Sequence, residues 1–341
     1  MMTMKPKARR SSWLILSVLL PLSFSAYGNP SIERVENDES RVTLKGDGFG
    51  THDLEVSVLD AVDNRMATEG NNFSASLKYD GFWNELGSPW ADPLTRAEHD
   101  GPLDHKDNKI YSAKSKSYNG WPSIMDDKTN RSLYVSWWFK PSESPASSGG
   151  SNKFIRIWDD SDGEHTRISW TQMHLTYGSG DPDWNGWEGE VGQWNLMEIY
   201  VDSDAGSVQT WVNGKLTHDV NDFKKAESEK GLNIDIIGFD ASSAEDYPDI
   251  GIELDEIYFS SSRERVVVSR KEVWDEARKD HHAVLPITWG KSEIEVEVPD
   301  IISENINKYY FYVVDQMGNA NDEGVSVCND CPETVRNLTV E

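Results

Sequence analysis

Gln193-Trp194-Asn195-Leu196-Met197-Glu198-Ile199-Tyr200-Val201 runs into the turn formers Asp202-Ser203-Asp204-Ala205-Gly206, and Ser207-Val208-Gln209-Thr210-Trp211-Val212-Asn213-Gly214 leads away from them. Apolar and polar residues alternate on both sides of the turn, the period at which an extended chain sends side chains to opposite faces. The stretch therefore predicts an antiparallel β-hairpin.

The same period recurs over residues 132–140, 153–158, 166–177, 232–239 and 252–259, each run ending near Gly, Asn, Asp or Ser. Many short strands with little helix predict an all-β sandwich or barrel. One helix is expected over residues 270–281, where Ser269 and Glu272 have capping-box spacing and Val273, Trp274 and Ala277 share a face. Residues 82–108 are rich in Pro, Gly, Asp and His and have no period, which predicts an extended loop.

With Ile252-Glu253-Leu254-Asp255-Glu256-Ile257-Tyr258-Phe259 added, the hairpin resembles the concanavalin A-like lectin/glucanase superfamily. There a Trp-rich strand pairs with one ending in W-x-N-G, and a closing strand carries an acidic residue before alternating apolar positions. The resemblance covers residues 63–262 and implies a jelly roll, a fold that hosts lectins, glycosidases, lyases and adhesive modules alike. Val42-Thr43-Leu44-Lys45-Gly46-Asp47-Gly48-Phe49-Gly50 is similar to the opening of immunoglobulin-like IPT/TIG modules. Residues 31–59 supply three short strands and residues 264–328 about five more, close to the number in an immunoglobulin-like sandwich. The organisation expected is a leader over 1–28, a split immunoglobulin-like β-domain from 29–62 and 263–341, and the jelly roll of 63–262 inserted into it.

Residues 1–28 read as a cleavable secretory signal: basic Lys5, Lys7, Arg9 and Arg10, an apolar run from Trp13 to Leu22, and small residues at the end. The apolar run is too short for a transmembrane helix, so a secreted or periplasmic bacterial protein is expected. The formal net charge is −26, and the leader's four basic residues leave −30 on the rest. Nucleic acid is therefore not expected as a partner, and polyanions must overcome repulsion unless a local basic patch reverses the field. Two cysteines, Cys328 and Cys331, predict one small disulfide loop in an oxidising compartment.

Nine tryptophans fall between Trp121 and Trp211. Indole faces stack on sugar rings, so polysaccharide is the expected partner, with Trp138, Trp170, Trp184 and Trp187 as contact residues. Core packing is the competing role for each, and adjacent Trp137 and Trp138 must face opposite sides of their strand.

Period two places Trp170, Gln172 and His174 on one face of a strand. Gln172-Met173-His174 is similar to the Q-(I/V)-H element of alginate-lyase-like jelly rolls. That resemblance implies His174 as base, Gln172 and Arg167 near a uronate carboxylate, and Tyr177 as acid. The family's R-(S/T)-E-L-R and Y-x-K-x-G-x-Y-x-Q strands are not present. Lys153, Arg156 and Arg167 could attract a polyanion, but strict alternation puts Lys153 and Arg156 on opposite faces. Glu188 and Glu190 have the period of a glycosidase pair but sit in a Gly-rich loop. Calcium is considered at the Asp159–Glu164 turn and at Asp255, where related jelly rolls hold a structural ion.

A carbohydrate-binding exoprotein is thus the first expectation. A polysaccharide lyase acting by β-elimination is the alternative, and a non-catalytic structural or adhesive envelope protein is the third.

Overall fold

The alternating runs fold as antiparallel strands whose apolar side chains meet between sheets. The computed structural model describes residues 28–38, 40–52, 54–84, 91–103, 108–147, 150–159, 166–178, 181–225, 228–242 and 247–327. Strands are numbered in chain order. The largest sheet contains β3 (Ser57–Asp60), β4 (Arg65–Glu69), β5 (Asn72–Ser74), β6 (Thr95–Glu98), β7 (Lys109–Lys114), β9 (Ser132–Pro141), β14 (Asn195–Asp202), β15 (Ser207–Val212), β16 (Lys215–Val220) and β18 (Gly251–Ser260). Its main order is β16-β15-β14-β9-β18-β3-β4-β5, with β7 pairing the first half of β18 and β6 pairing β7. The expected hairpin forms in the register Met197↔Val212 to Asp202↔Ser207.

Facing it is a six-stranded sheet, order β13-β12-β11-β10-β17-β8, made of β8 (Ser117–Gly120), β10 (Lys153–Trp158), β11 (Arg167–Thr171), β12 (His174–Tyr177), β13 (Asp183–Trp184) and β17 (Asn233–Asp240). Trp137, Phe139, Met197 and Ile199 of the first sheet and Phe154, Ile157, Trp170 and Ile237 of the second belong to one buried cluster. Trp170 makes edge contacts with Trp137 and Phe154, at centroid distances of 5.8 and 5.9 Å. Such pairs add to the stabilisation from burial itself.

The third sheet draws on both ends of the chain: β1 (Ser31–Asp38), β2 (Arg41–Asp47), β21 (Glu293–Glu297), β20 (His282–Trp289), β19 (Arg265–Ser269), β22 (Tyr310–Val314) and β23 (Val325–Ser326), in that spatial order. Arg41 lies opposite Glu297 and Lys45 opposite Glu293. The sheet curls so that β1 approaches β22 and β23, around a core that includes Val42, Leu44, Val266, Val284, Val296 and Phe311. The third strand expected in the N-terminal flank, β3, instead pairs with β18 in the largest sheet.

The two bodies dock where Leu59, Met66, Tyr134, Tyr200 and Tyr258, on the outer face of the largest sheet, meet Ala283 and Leu285 of β20. That face is therefore not open.

Three expectations need correction. The helix is confined to α1 (Trp274–Ala277), because Val273 is held in a bridge to Glu323 and Ser269 Oγ serves the Lys271 N–H and Asp280 rather than a helix N-terminus. Part of the expected loop 82–108 is strand β6, paired with β7. The single strand expected over 166–177 is two, since Thr171 Oγ1 accepts the N–H groups of Met173 and His174 at 3.2 and 3.0 Å and turns the chain there. Trp170 and His174 thus lie on different strands and different faces. Among the described residues, no helix is long and apolar enough to cross a membrane.

Candidate functional site

The open face of the six-stranded sheet concentrates positive charge in a chain whose formal net charge is −26. In β10 the register slips between Lys153 and Ile155 against both neighbouring strands, and Phe154 and Ile155 both enter the core. A β-bulge of this kind resets the side-chain period. Lys153 and Arg156 consequently emerge on the same face, contrary to strict alternation. Lys153 Nζ lies 3.4 Å and Arg156 Nη2 3.1 Å from Asp240 Oδ2, while Lys116 Nζ lies 3.0 Å from Asp240 Oδ1. Gly238 permits the matching irregularity in β17: its φ is +144°, and a Cβ there would stand 2.6 Å from the Ser117 carbonyl oxygen.

Arg167 extends the patch, with its guanidinium carbon 5.4 Å from the centre of the Trp158 ring. Four cations, Lys116, Lys153, Arg156 and Arg167, thus share this face with two carboxylates, Asp235 and Asp240. Burial lowers the Lys153 pKa, with Asp240 opposing the shift and Arg156 adding to it. Ser169 and Thr176, opposite each other on β11 and β12, continue a polar lane beside Arg156.

At the other end of the lane stands His174. Its ring lies 4.8 Å from that of Trp184, which is 63% exposed. Burial lowers the His174 pKa, and the positive charges of His218 and Lys153 act in the same direction. The imidazole is therefore neutral at pH 7, and its Nδ1 meets no hydrogen-bond partner among the described residues. Beyond Trp158 a cleft of about 280 Å³ is lined by Trp121, Trp158, Asp126, Lys230, Asn233 and Asp235. Aromatic walls with a few convergent polar groups are the usual composition of a small-molecule pocket.

The other expected site residues lie elsewhere or are already engaged. Gln172 spends its amide on backbone, accepting the Asn152 N–H at 2.8 Å and donating to the Gly150 carbonyl at 2.6 Å. Tyr177 packs against the core on the face opposite His174, where burial and Asp222 raise its pKa. Trp170 is in the core. Trp138 is covered by the second body and stacks on His282 at 5.2 Å. Trp187 packs on Phe139 and Phe154 and donates to Met197 Sδ at 3.4 Å. Glu188 pairs with Lys215.

Asp255 is buried beside the bulge at Glu256, and its pKa is raised well above the usual carboxylate range by burial and by the Glu256 charge. Its oxygens accept the Asn108 amide and the Glu256 N–H, while Glu256 Oε2 takes His282 Nδ1 at 2.8 Å. Among the described residues no three acidic, His or Cys side chains gather to hold a metal. Asp159 accepts the Thr166 N–H and Lys225 Nζ, whereas residues 160–165, Cys328 and Cys331 lie outside the described residues.

Sequence reasoning missed Lys116, Trp158 and Asp240. The available signal was the adjacent apolar pair Phe154-Ile155 inside an otherwise alternating run, which forces a bulge if both are core.

No protein-family model and no curated protein matches the chain. Among solved structures it is similar to domain 4 of AbnA, a GH43 extracellular arabinanase from Geobacillus stearothermophilus, with 19% identity over 50% of this chain and 77% of that one and a TM-score of 0.36. Similarity to alginate lyase Aly36B gives 12% identity, coverage of 49% and 86%, and a TM-score of 0.34. The binding domain of Paraclostridial Mosquitocidal Protein 1 gives 9% identity, coverage of 77% and 64%, and a TM-score of 0.37. Likenesses of this size carry no residue correspondence and no activity to this chain.

Proposed function

We propose that this chain is an exported carbohydrate-binding protein that recognises an acidic extracellular polysaccharide on the open face of its six-stranded sheet. The observation that carries the reading is the convergence of Lys116, Lys153 and Arg156 on Asp240, with Trp158 and Trp184 flanking the same face. Exposed indole supplies a stacking surface for sugar rings, and the cations supply partners for carboxylate or sulfate groups. Within a chain of net charge −26, a local excess of cations gives a polyanion a place to dock. Affinity electrophoresis of the mature protein in gels containing neutral, uronate or sulfated polysaccharides tests this. Retardation by an acidic polymer that disappears in Arg156→Gln supports it, and equal mobility in every gel removes it.

A second reading, a lyase acting by β-elimination, is favoured by one observation: neutral His174 shares the face with Lys153. A base of near-neutral pKa beside a cation that can hold a carboxylate is the minimum such a reaction needs. The engagement of Gln172 and the position of Tyr177 weigh against the remaining roles. Ultraviolet absorbance from unsaturated uronate, present with the wild type and lost in His174→Ala, would convert the binder into an enzyme.

A further inference from the structure

At the seam between the two bodies a second cationic cluster surrounds a cavity of about 100 Å³, room for a few groups the size of water. Arg263, Arg265, Arg278, His281, Glu198 and Trp211 are among the residues that line it. Glu198 is the one carboxylate of that lining, and it is already engaged: the Tyr134 hydroxyl donates to Oε1 at 2.7 Å and Arg265 Nη2 lies 3.3 Å from the same atom. Arg278 pairs outside the cavity with Asp275 at 3.7 Å.

That leaves Arg263 and His281. The Arg263 guanidinium lies over the rings of Tyr200 and Trp211, at 4.8 and 5.5 Å, and finds no hydrogen-bond acceptor among the described residues. His281 is 2% exposed, yet neither ring nitrogen completes a hydrogen bond, although the Ala277 and Arg278 carbonyls are near and Glu198 Oε1 is 3.7 Å away. A half-buried guanidinium with no protein acceptor is open to an anion, its planar fork being shaped to grip two oxygens at once, and the buried neutral His281 ring still carries one N–H to donate.

We propose that this seam cavity binds a small oxyanion, sulfate or phosphate, either free or carried on a glycan, held by the Arg263 guanidinium and the His281 ring. The anion would neutralise Arg263 and join the sheet that carries Glu198 to the body that carries His281. The site is independent of the groove on the six-stranded sheet.

The test is a titration of the mature protein with sodium sulfate or sodium phosphate against sodium chloride at constant ionic strength. It follows the His281 imidazole resonances and the melting temperature. A saturable His281 shift with sulfate or phosphate, absent with chloride, is expected. Arg263→Gln should weaken it at least about tenfold, the loss of one charge-assisted contact, and Arg156→Gln should leave it unchanged. Dextran sulfate distinguishes the sources: competition with free sulfate at His281 makes a glycan-borne group acceptable to the cavity. A non-saturable response, or one that persists in Arg263→Gln, overturns the proposal. Dextran sulfate binding that is lost only in Arg156→Gln while His281 stays silent, beside a saturable shift with the free ion, assigns the cavity to free sulfate or phosphate. Should Arg263→Gln fail to fold, the His281 titration of the unaltered protein decides alone.

Discussion

Lys153 and Arg156, three positions apart on one strand, direct their cationic ends to the same oxygen of Asp240, at 3.4 and 3.1 Å. On a regular strand an odd separation would send them to opposite faces. The bulge at Phe154 and Ile155 brings them together, and Asp240 restrains two like charges that would otherwise repel. Asp240→Asn should therefore raise affinity for polyanions while lowering stability by about 1–3 kcal/mol, the range for leaving polar partners unpaired. Denaturant unfolding and affinity electrophoresis on one preparation check both signs; lower affinity together with lower stability would contradict the clamp.

Trp184 and Trp138 should separate under mutation. Trp184 is largely exposed, so Trp184→Ala should change stability by no more than about 0.5 kcal/mol and weaken glycan binding roughly three- to tenfold, the scale of one stacking contact. Trp138 is buried against His282, so Trp138→Ala should cost about 3–5 kcal/mol and leave glycan affinity unchanged. Isothermal titration beside thermal unfolding reads both, and a glycan effect confined to Trp138 would move the site to the other sheet.

Most strands were legible because alternation and turn residues act locally. The hairpin expected around residues 202–206 forms, and the runs 132–140, 153–158 and 252–259 differ from β9, β10 and β18 by a residue or less at each end. What alternation alone cannot show is where the period resets. The slip at Phe154 and Ile155 and the turn held by Thr171 Oγ1 each change which side chains share a face. Nor can a single strand reveal that its outer face is covered: Trp138 points away from the core as expected, but the docked body buries it. The helix expected at 270–281 was shortened by a tertiary contact, the bridge between Val273 and Glu323, that no local pattern encodes.

Acid should loosen the seam through His281. Burial, with the Arg265 and His282 charges, holds its pKa well below the usual 6.5, so below that pH the unfolded chain binds more protons than the folded one. The stability this group contributes is present above about pH 6.5 and is lost as pH falls toward its folded value. His174 and His218, also lowered, act in the same direction. Asp255, raised, acts in the opposite one, its contribution being lost as pH rises through its folded value. The melting temperature of His281→Gln should consequently fall less on acidification below about pH 6.5 than that of the wild type. Parallel curves would show that His281 does not titrate on unfolding.

We propose that the flanks 29–62 and 263–341, β3 excepted, form one folding unit. The β2–β21 ladder, Arg41↔Glu297 to Lys45↔Glu293, crosses between them and would survive cuts placed in residues 61–64 and 261–264. Limited proteolysis followed by native size-exclusion chromatography should recover the two flanks together. Free separation of either flank would refute the split unit.

The central claim, that the open face of the six-stranded sheet binds an acidic polysaccharide, is tested most directly by measuring affinity of wild type and Arg156→Gln for one uronate polymer across a salt series. The account predicts binding to the wild type that weakens as salt rises, as screened charge pairs must, with both affinity and salt slope reduced in Arg156→Gln. Wild-type binding that is insensitive to salt and to Arg156→Gln would contradict it.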